Sequence, residues 1–179
     1  IVMTGGMAGI ADTVLVLYAT ILQSLIPDVA GHLIVASVLG AALDVPVVNA
    51  GISGDRTAGG LARLEPDVLV HRPGLVVVEL GVNDAFGRLP TAETLGNLRR
   101  IVRRIREDGA GVVLIHISPG PLAPDAYRQG YRDIAQEEGA RLVEDFLSGV
   151  APSYTTDGLH PNEEGHARLL RSFPECQAA

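Results

Sequence analysis

Apolar and polar positions along this chain follow two rhythms, one of short uninterrupted apolar runs and one of helical spacing. Val45-Pro46-Val47-Val48 is a short apolar run closed by the glycine-bearing turn "NAGISGD", residues 49–55. Residues 75–80, "LVVVEL", show almost no alternation, which is how a parallel strand covered on both faces reads. "TAETLGNLRRIVRRIRED" then carries its apolar residues at helical spacing, with Thr91 as the expected N-cap and Gly109 as the closing glycine. "GVVLIHI" predicts the next strand, "DAYRQGYRDIAQEEG" the next helix, "ARLVED" a last short strand and "NEEGHARLLRSF" a final helix. Strands that alternate with helices at this spacing predict a three-layer α/β/α domain with a mainly parallel sheet.

Residues 14–43 are more apolar than the rest, interrupted chiefly by Gln23, Ser24, Asp28, His32 and Ser37. Pro27-Asp28 splits this run into pieces too short to cross a bilayer comfortably, so the expectation is a buried first strand followed by a buried helix and no stable membrane span. The N-terminus has no basic n-region, and the reading is of a soluble protein, cytoplasmic or exported with any signal already removed. With 179 residues and neither linker nor repeat, residues 1–179 read as one domain with an atypical apolar segment over 1–43.

The charge balance narrows the partners. A formal net charge of −7 argues against a nucleic-acid surface. Arg99, Arg100, Arg103 and Arg104 lie between Leu98, Ile101, Val102 and Ile105 and read as the solvated face of a helix. All 14 basic residues are arginine. Without lysine there is no Walker-type phosphate loop, no Ser–Lys dyad and no Schiff base. Cys176 stands alone, so neither a disulfide framework nor a cysteine metal cluster is available.

The chemistry-bearing residues collect where parallel strands end, the usual place for function in such sheets. After Val48 come Asn49, Gly51 and Gly54; after Leu80 come Gly81, Asn83 and Asp84; after the last strand come Asp157 and His160, three apart in "TTDGLHPNEEG". A carboxylate that close to an imidazole can hold it in one tautomer, which prepares a general base to activate a nucleophile. Taken singly, Gly54 reads as a turn glycine, Asn83 as an Asx-turn residue, and His160 as a surface imidazole. Asp157, His160 and His166 are metal ligands by type, but His166 falls within the following helix and no third ligand has the spacing, so no metal and no cofactor are expected. His116, at the end of a strand, is expected at the pocket mouth, and His32 and His71 are expected to be structural or exposed.

"NAGISGD", "ELGVND" and "DGLHP", in this order over residues 44–174, resemble the SGNH or GDSL-type hydrolase family, closest to its thioesterase and arylesterase branch. The resemblance implies a flavodoxin-like five-stranded sheet, Gly54 and Asn83 as oxyanion donors, His160 as the base and Asp157 as its orienting partner. The activity implied is hydrolysis of small or short-acyl esters or thioesters by a hydroxyl nucleophile. The family's first motif, Gly-Asp-Ser after the first strand, is absent. Tyr18-Ala19-Thr20 overlies it, and "QSL" offers Ser24 in a shifted register, so Thr20 and Ser24 are both candidate nucleophiles. Residues 2–41 resemble a segment of the concentrative nucleoside transporter family. A second reading therefore stands beside the enzyme: an SGNH-fold protein that binds an ester, acyl or sugar ligand, or a fusion product that has lost its nucleophile block.

Overall fold

The computed structural model describes residues 46–118, 125–147 and 151–155, residues 162, 164, 165 and 168, and the backbone of residues 15–19. Five strands form one parallel sheet in the order β2-β1-β3-β4-β5. They are β1 (Leu15–Ala19), β2 (Val47–Asn49), β3 (Leu75–Glu79), β4 (Gly111–Ile115) and β5 (Arg141–Val143). The expected apolar first strand is present. Leu15 stands opposite both Val47 and Leu75, and Ala19 opposite Glu79, so β1 is an interior strand. An interior parallel strand must be apolar on both faces, which suits "LVLYA". The chain pairs β2 on one side of β1 and β3 on the other, making a topological switch point beyond the C-terminal end of β1.

Four helices are described: α1 (Thr57–Asp67), α2 (Val82–Phe86), α3 (Thr91–Glu107) and α4 (Arg128–Glu138). Leu64 of α1, Leu98, Ile101 and Ile105 of α3, and Ile134 of α4 pack with Val76, Val78, Val112 and Leu114 on one face of the sheet. Among the described residues, the other face (Val77, Val113, Ile115) meets Val82, Phe146 and Leu147. The helix expected over 162–173 is described only at Glu164, Gly165 and Arg168, all three helical.

Two sequence expectations change at element ends. Thr91 is the first helical residue of α3 and not its N-cap. Pro90 occupies the cap, and its carbonyl accepts the N–H groups of Glu93 and Thr94 at 3.0 and 3.2 Å. The final turn of α3 does run out into Gly109 at φ 92, a left-handed position that favours glycine. The helix expected over 125–139 begins at Arg128, because Asp125 stays outside and accepts the N–H groups of Tyr127 and Arg128 at 3.2 and 3.1 Å.

The arginine-rich face of α3 is solvated but partnered. Arg99 pairs with Glu137 at 2.9 Å and Arg103 with Glu138 at 2.6 Å, both on α4, while Arg104 reaches Glu65 of α1 at 2.8 Å. The hydrogen bond from Arg103 holds the Glu138 carboxyl below its ordinary range. Each is an exposed pair worth little by itself, yet together they set the register of three neighbouring helices. Among the described residues, no helix is long and apolar enough to cross a membrane.

Candidate active site

The loop from β2 to α1 is braced from within. The Asn49 side chain accepts the Gly51 N–H at 3.1 Å, and a turn over Ile52–Asp55 closes through Asp55 N–H to Ile52 O, also at 3.1 Å. Gly54, at φ 74, sits at the turn position where only a residue without Cβ is unstrained. The closing bond comes from Asp55, so the Gly54 N–H stands outside the turn's own hydrogen bonding. Arg63, two turns into α1, clamps the Asp55 carboxylate from Nε at 2.8 Å and Nη2 at 2.7 Å, and its Nη1 donates to Ala50 O. Gly59 makes room for that clamp, since a Cβ there would meet the Asp55 carboxylate.

The loop from β3 to α2 locks onto the first. Asn83 donates its side-chain amide to Asp55 O at 2.9 Å, one residue beyond Gly54. Asp84 is 1% exposed and accepts three bonds: Thr57 N–H at 3.0 Å, Thr57 Oγ1 at 2.6 Å and Thr94 Oγ1 at 3.3 Å. Its carboxylate therefore supplies from a distance the N-terminal cap that Arg56, the residue before α1, does not. Asn97 also donates to Thr57 Oγ1, at 3.3 Å. The consequence is that the two loops carrying Gly54 and Asn83 are held together by hydrogen bonds between residues 27 to 40 positions apart in the chain.

Tyr131 of α4 anchors the start of this second loop. Its hydroxyl donates to Leu80 O, and burial together with the nearby Glu79 and Asp84 carboxylates keeps the phenol protonated far above its ordinary range. Gly81, at φ 108, lies directly under that hydroxyl, where a Cβ would collide with it. Gly81→Ala should therefore cost roughly 2–4 kcal/mol, from positive-φ strain plus overpacking. Urea unfolding checks this. In a Tyr131→Phe background the same change should cost less, because the collision is gone and only the backbone strain remains.

His116 differs from expectation. It is 1% exposed, not at a pocket mouth. Its Nε2 lies 3.1 Å from Asp125 Oδ2, and its ring meets Tyr131 edge-on at 4.9 Å between centroids. Burial on the sheet side of α4 makes it a packed imidazole. His71 is exposed, as expected. Thr20, Ser24, His32, Asp157, His160 and His166 lie outside the described residues. Among the described residues, no group of three metal-ligating side chains comes together. The positioning residues Arg63, Thr57 and Tyr131 carry no motif signal; the one legible partner was Asp84, adjacent to Asn83.

Residues 27–168 match the GDSL-like lipase/acylhydrolase family. The chain belongs to that family. Membership places it among the carboxylic ester hydrolases, and the parallel sheet and paired loops described above agree with that fold. It is 39% identical over 136 residues to the esterase TesA of Pseudomonas aeruginosa, covering 72% of this chain and 68% of that one. It is 38% identical over 128 residues to an arylesterase of Vibrio mimicus, covering 68% of this chain and 64% of that one. The chain thus spans about two-thirds of the length of these relatives. A crystal structure of TesA superposes with a TM-score of 0.78 at 35% identity, covering 89% of this chain and 94% of that one.

Proposed function

We propose that this protein hydrolyses short-acyl carboxylic esters, thioesters among them, with a hydroxyl nucleophile, the His160–Asp157 pair and an oxyanion hole built from Gly54 N–H and the Asn83 amide. The observation that carries this reading is the bond from Asn83 to Asp55 O at 2.9 Å, which ties the amide to the residue after Gly54 and uses one of its two hydrogens, so that the other can serve a developing oxyanion. No cofactor is needed.

The steps follow from these roles. The nucleophile oxygen attacks the ester carbonyl while His160 takes its proton. The charge that forms on the carbonyl oxygen is met by Gly54 and Asn83. Collapse of the tetrahedral intermediate expels the alcohol or thiol, which takes the proton from His160, and leaves an acyl-enzyme. Water, deprotonated by His160, then attacks the acyl carbon and releases the acid. Asp157 holds the imidazole in the tautomer that this sequence requires.

Thr20 is the nucleophile favoured by position. Ala19 is in register with Glu79, so the chain leaves β1 at the rim from which the Asn83 loop departs. Ser24 follows four residues after Thr20 and has the less crowded oxygen, since the β-methyl of threonine restricts χ1. A fluorophosphonate reacts at the activated oxygen with loss of fluoride, and peptide mass spectrometry then locates the adduct. Label on Thr20, lost in His160→Ala, is the expected result. Label on Ser24 would transfer the role, and an unlabelled protein with no esterase activity would favour a ligand-binding protein of the same fold.

A further inference from the structure

The oxyanion loop carries a cation that the mechanism above does not use. Arg56 follows Asp55 directly and is exposed, yet its side chain folds back across the loop to α2. A Cβ built on Gly87, the residue that ends α2, would lie 2.9 Å from Arg56 Nη2 and 3.3 Å from Cζ. The same Cβ would lie 3.1 Å from Asn83 O. The guanidinium therefore rests over Gly87, four residues after Asn83, whose side chain is read as an oxyanion donor.

The carboxylates that these two loops carry, Asp55 and Asp84, are committed elsewhere. Asp55 is held by Arg63 at 2.7 Å, and Asp84 is buried on Thr57 and Thr94. Among the described residues, the Arg56 guanidinium has no ion pair or hydrogen-bond partner, and only its backbone N–H is engaged, by Asp55 Oδ1 at 2.8 Å. Most other described arginines are paired, those of α3 with Glu65, Glu137 and Glu138 for example. In a chain of net charge −7, an arginine without an ion pair among the described residues at this spot is a local positive site on an acidic molecule. Its planar fork suits a carboxylate.

We propose that Arg56 is a specificity-determining residue that selects esters carrying a carboxylate, receiving that group beside the oxyanion donors. The proposal rests on the reading of Gly54 and Asn83 as those donors. Gly87 is part of the device: any side chain there would displace the guanidinium from its seat.

Two matched ester pairs test it. The alcohol-side pair is 4-acetoxybenzoate and 4-acetoxybenzamide; the acyl-side pair is the 4-nitrophenyl monoester of adipic acid and its terminal amide. With each kcat/KM divided by the imidazole-catalysed rate of the same ester, the wild type should prefer the charged member of at least one pair by roughly fivefold, the scale of a partly exposed ion pair. That preference should fade in 0.5 M salt and collapse toward unity in Arg56→Gln, with Arg56→Lys between. Arg72→Gln removes the same charge at the residue leading into β3, on the opposite rim, and should leave the ratio as in wild type. A parallel loss on both members of each pair in Arg56→Gln, with the ratio unmoved, would make Arg56 merely structural and overturn the proposal. Equal shifts in Arg72→Gln would overturn it too, since only net charge would then matter. Failure of the wild type to cleave all four esters would count against the hydrolase reading instead. The Arg56 Nε–Hε resonance, assigned by its absence in Arg56→Gln, would then decide: a shift with adipate but not adipamide supports the proposal, and no shift with adipate rejects it.

Discussion

His160→Ala should lower kcat for p-nitrophenyl acetate by about 10⁴ or more, the usual loss when a base that acts as a unit with its nucleophile is removed. Without the imidazole nothing takes the proton from the attacking hydroxyl, whose own pKa lies far above neutrality. Asp157→Asn should fall by about 10⁴, because the amide stabilises the wrong tautomer while occupying the same volume. Neither change should alter the urea midpoint appreciably, since the sequence reads the pair as part of a polar loop after the last strand, where a role in packing is not expected. The pH profile provides an independent check. An imidazole acting as base is useful only when neutral, so kcat/KM should decline as pH falls through about 6–7. An undiminished rate in His160→Ala would remove the triad from consideration.

Asn83→Ala should cost about 10²–10³ in kcat with little change in KM, the penalty for one missing oxyanion donor. Here the structure adds a second consequence. Asn83 also ties its loop to Asp55 O, so its loss loosens the seat of Gly54 while removing a donor. Asn83→Asp separates the two effects. It keeps the side-chain volume but turns the donor into an acceptor carrying negative charge, and should be at least as inactive as the alanine variant. An effect confined to KM would make Asn83 a ground-state binding residue. Measuring the urea midpoint of both variants shows how much of the loss is loosening. A shift worth more than about 1.5 kcal/mol, the upper range for one net hydrogen bond, would mean that the bond to Asp55 matters chiefly for folding.

The sequence by itself determined the class of fold, because the physics that decides it is local. An interior parallel strand is buried on both faces and must be apolar throughout, so "LVVVEL" and "GVVLIHI" were legible as strands. For the same reason "LVLYA" serves as the interior strand β1 without the Gly-Asp-Ser that usually follows it in this family. A strand in that position answers to burial, and a catalytic motif lies beyond its end. The motifs that carry Gly54, Asn83, Asp157 and His160 could be picked out because spacing and order survive in one dimension, and of these four residues the structure describes Gly54 and Asn83. Boundaries were less so. Thr91 has a cap-forming side chain, but Pro90 with its fixed φ took the cap, and a one-residue shift of that kind is settled by backbone geometry. His116 shows the other limit: a histidine at a strand end looks like a pocket residue until α4 covers it and Asp125 and Tyr131 surround it. What only the tertiary structure decided is how the loops hold one another. Asp84 capping α1 from 27 residues away, Asn83 reaching Asp55 across 28, Tyr131 gripping Leu80 across 51 and the Arg56 guanidinium lying over Gly87 leave no periodic trace in the chain. Each is a single polar contact between elements distant in sequence, and its partner is fixed only when the sheet brings their ends to the same rim.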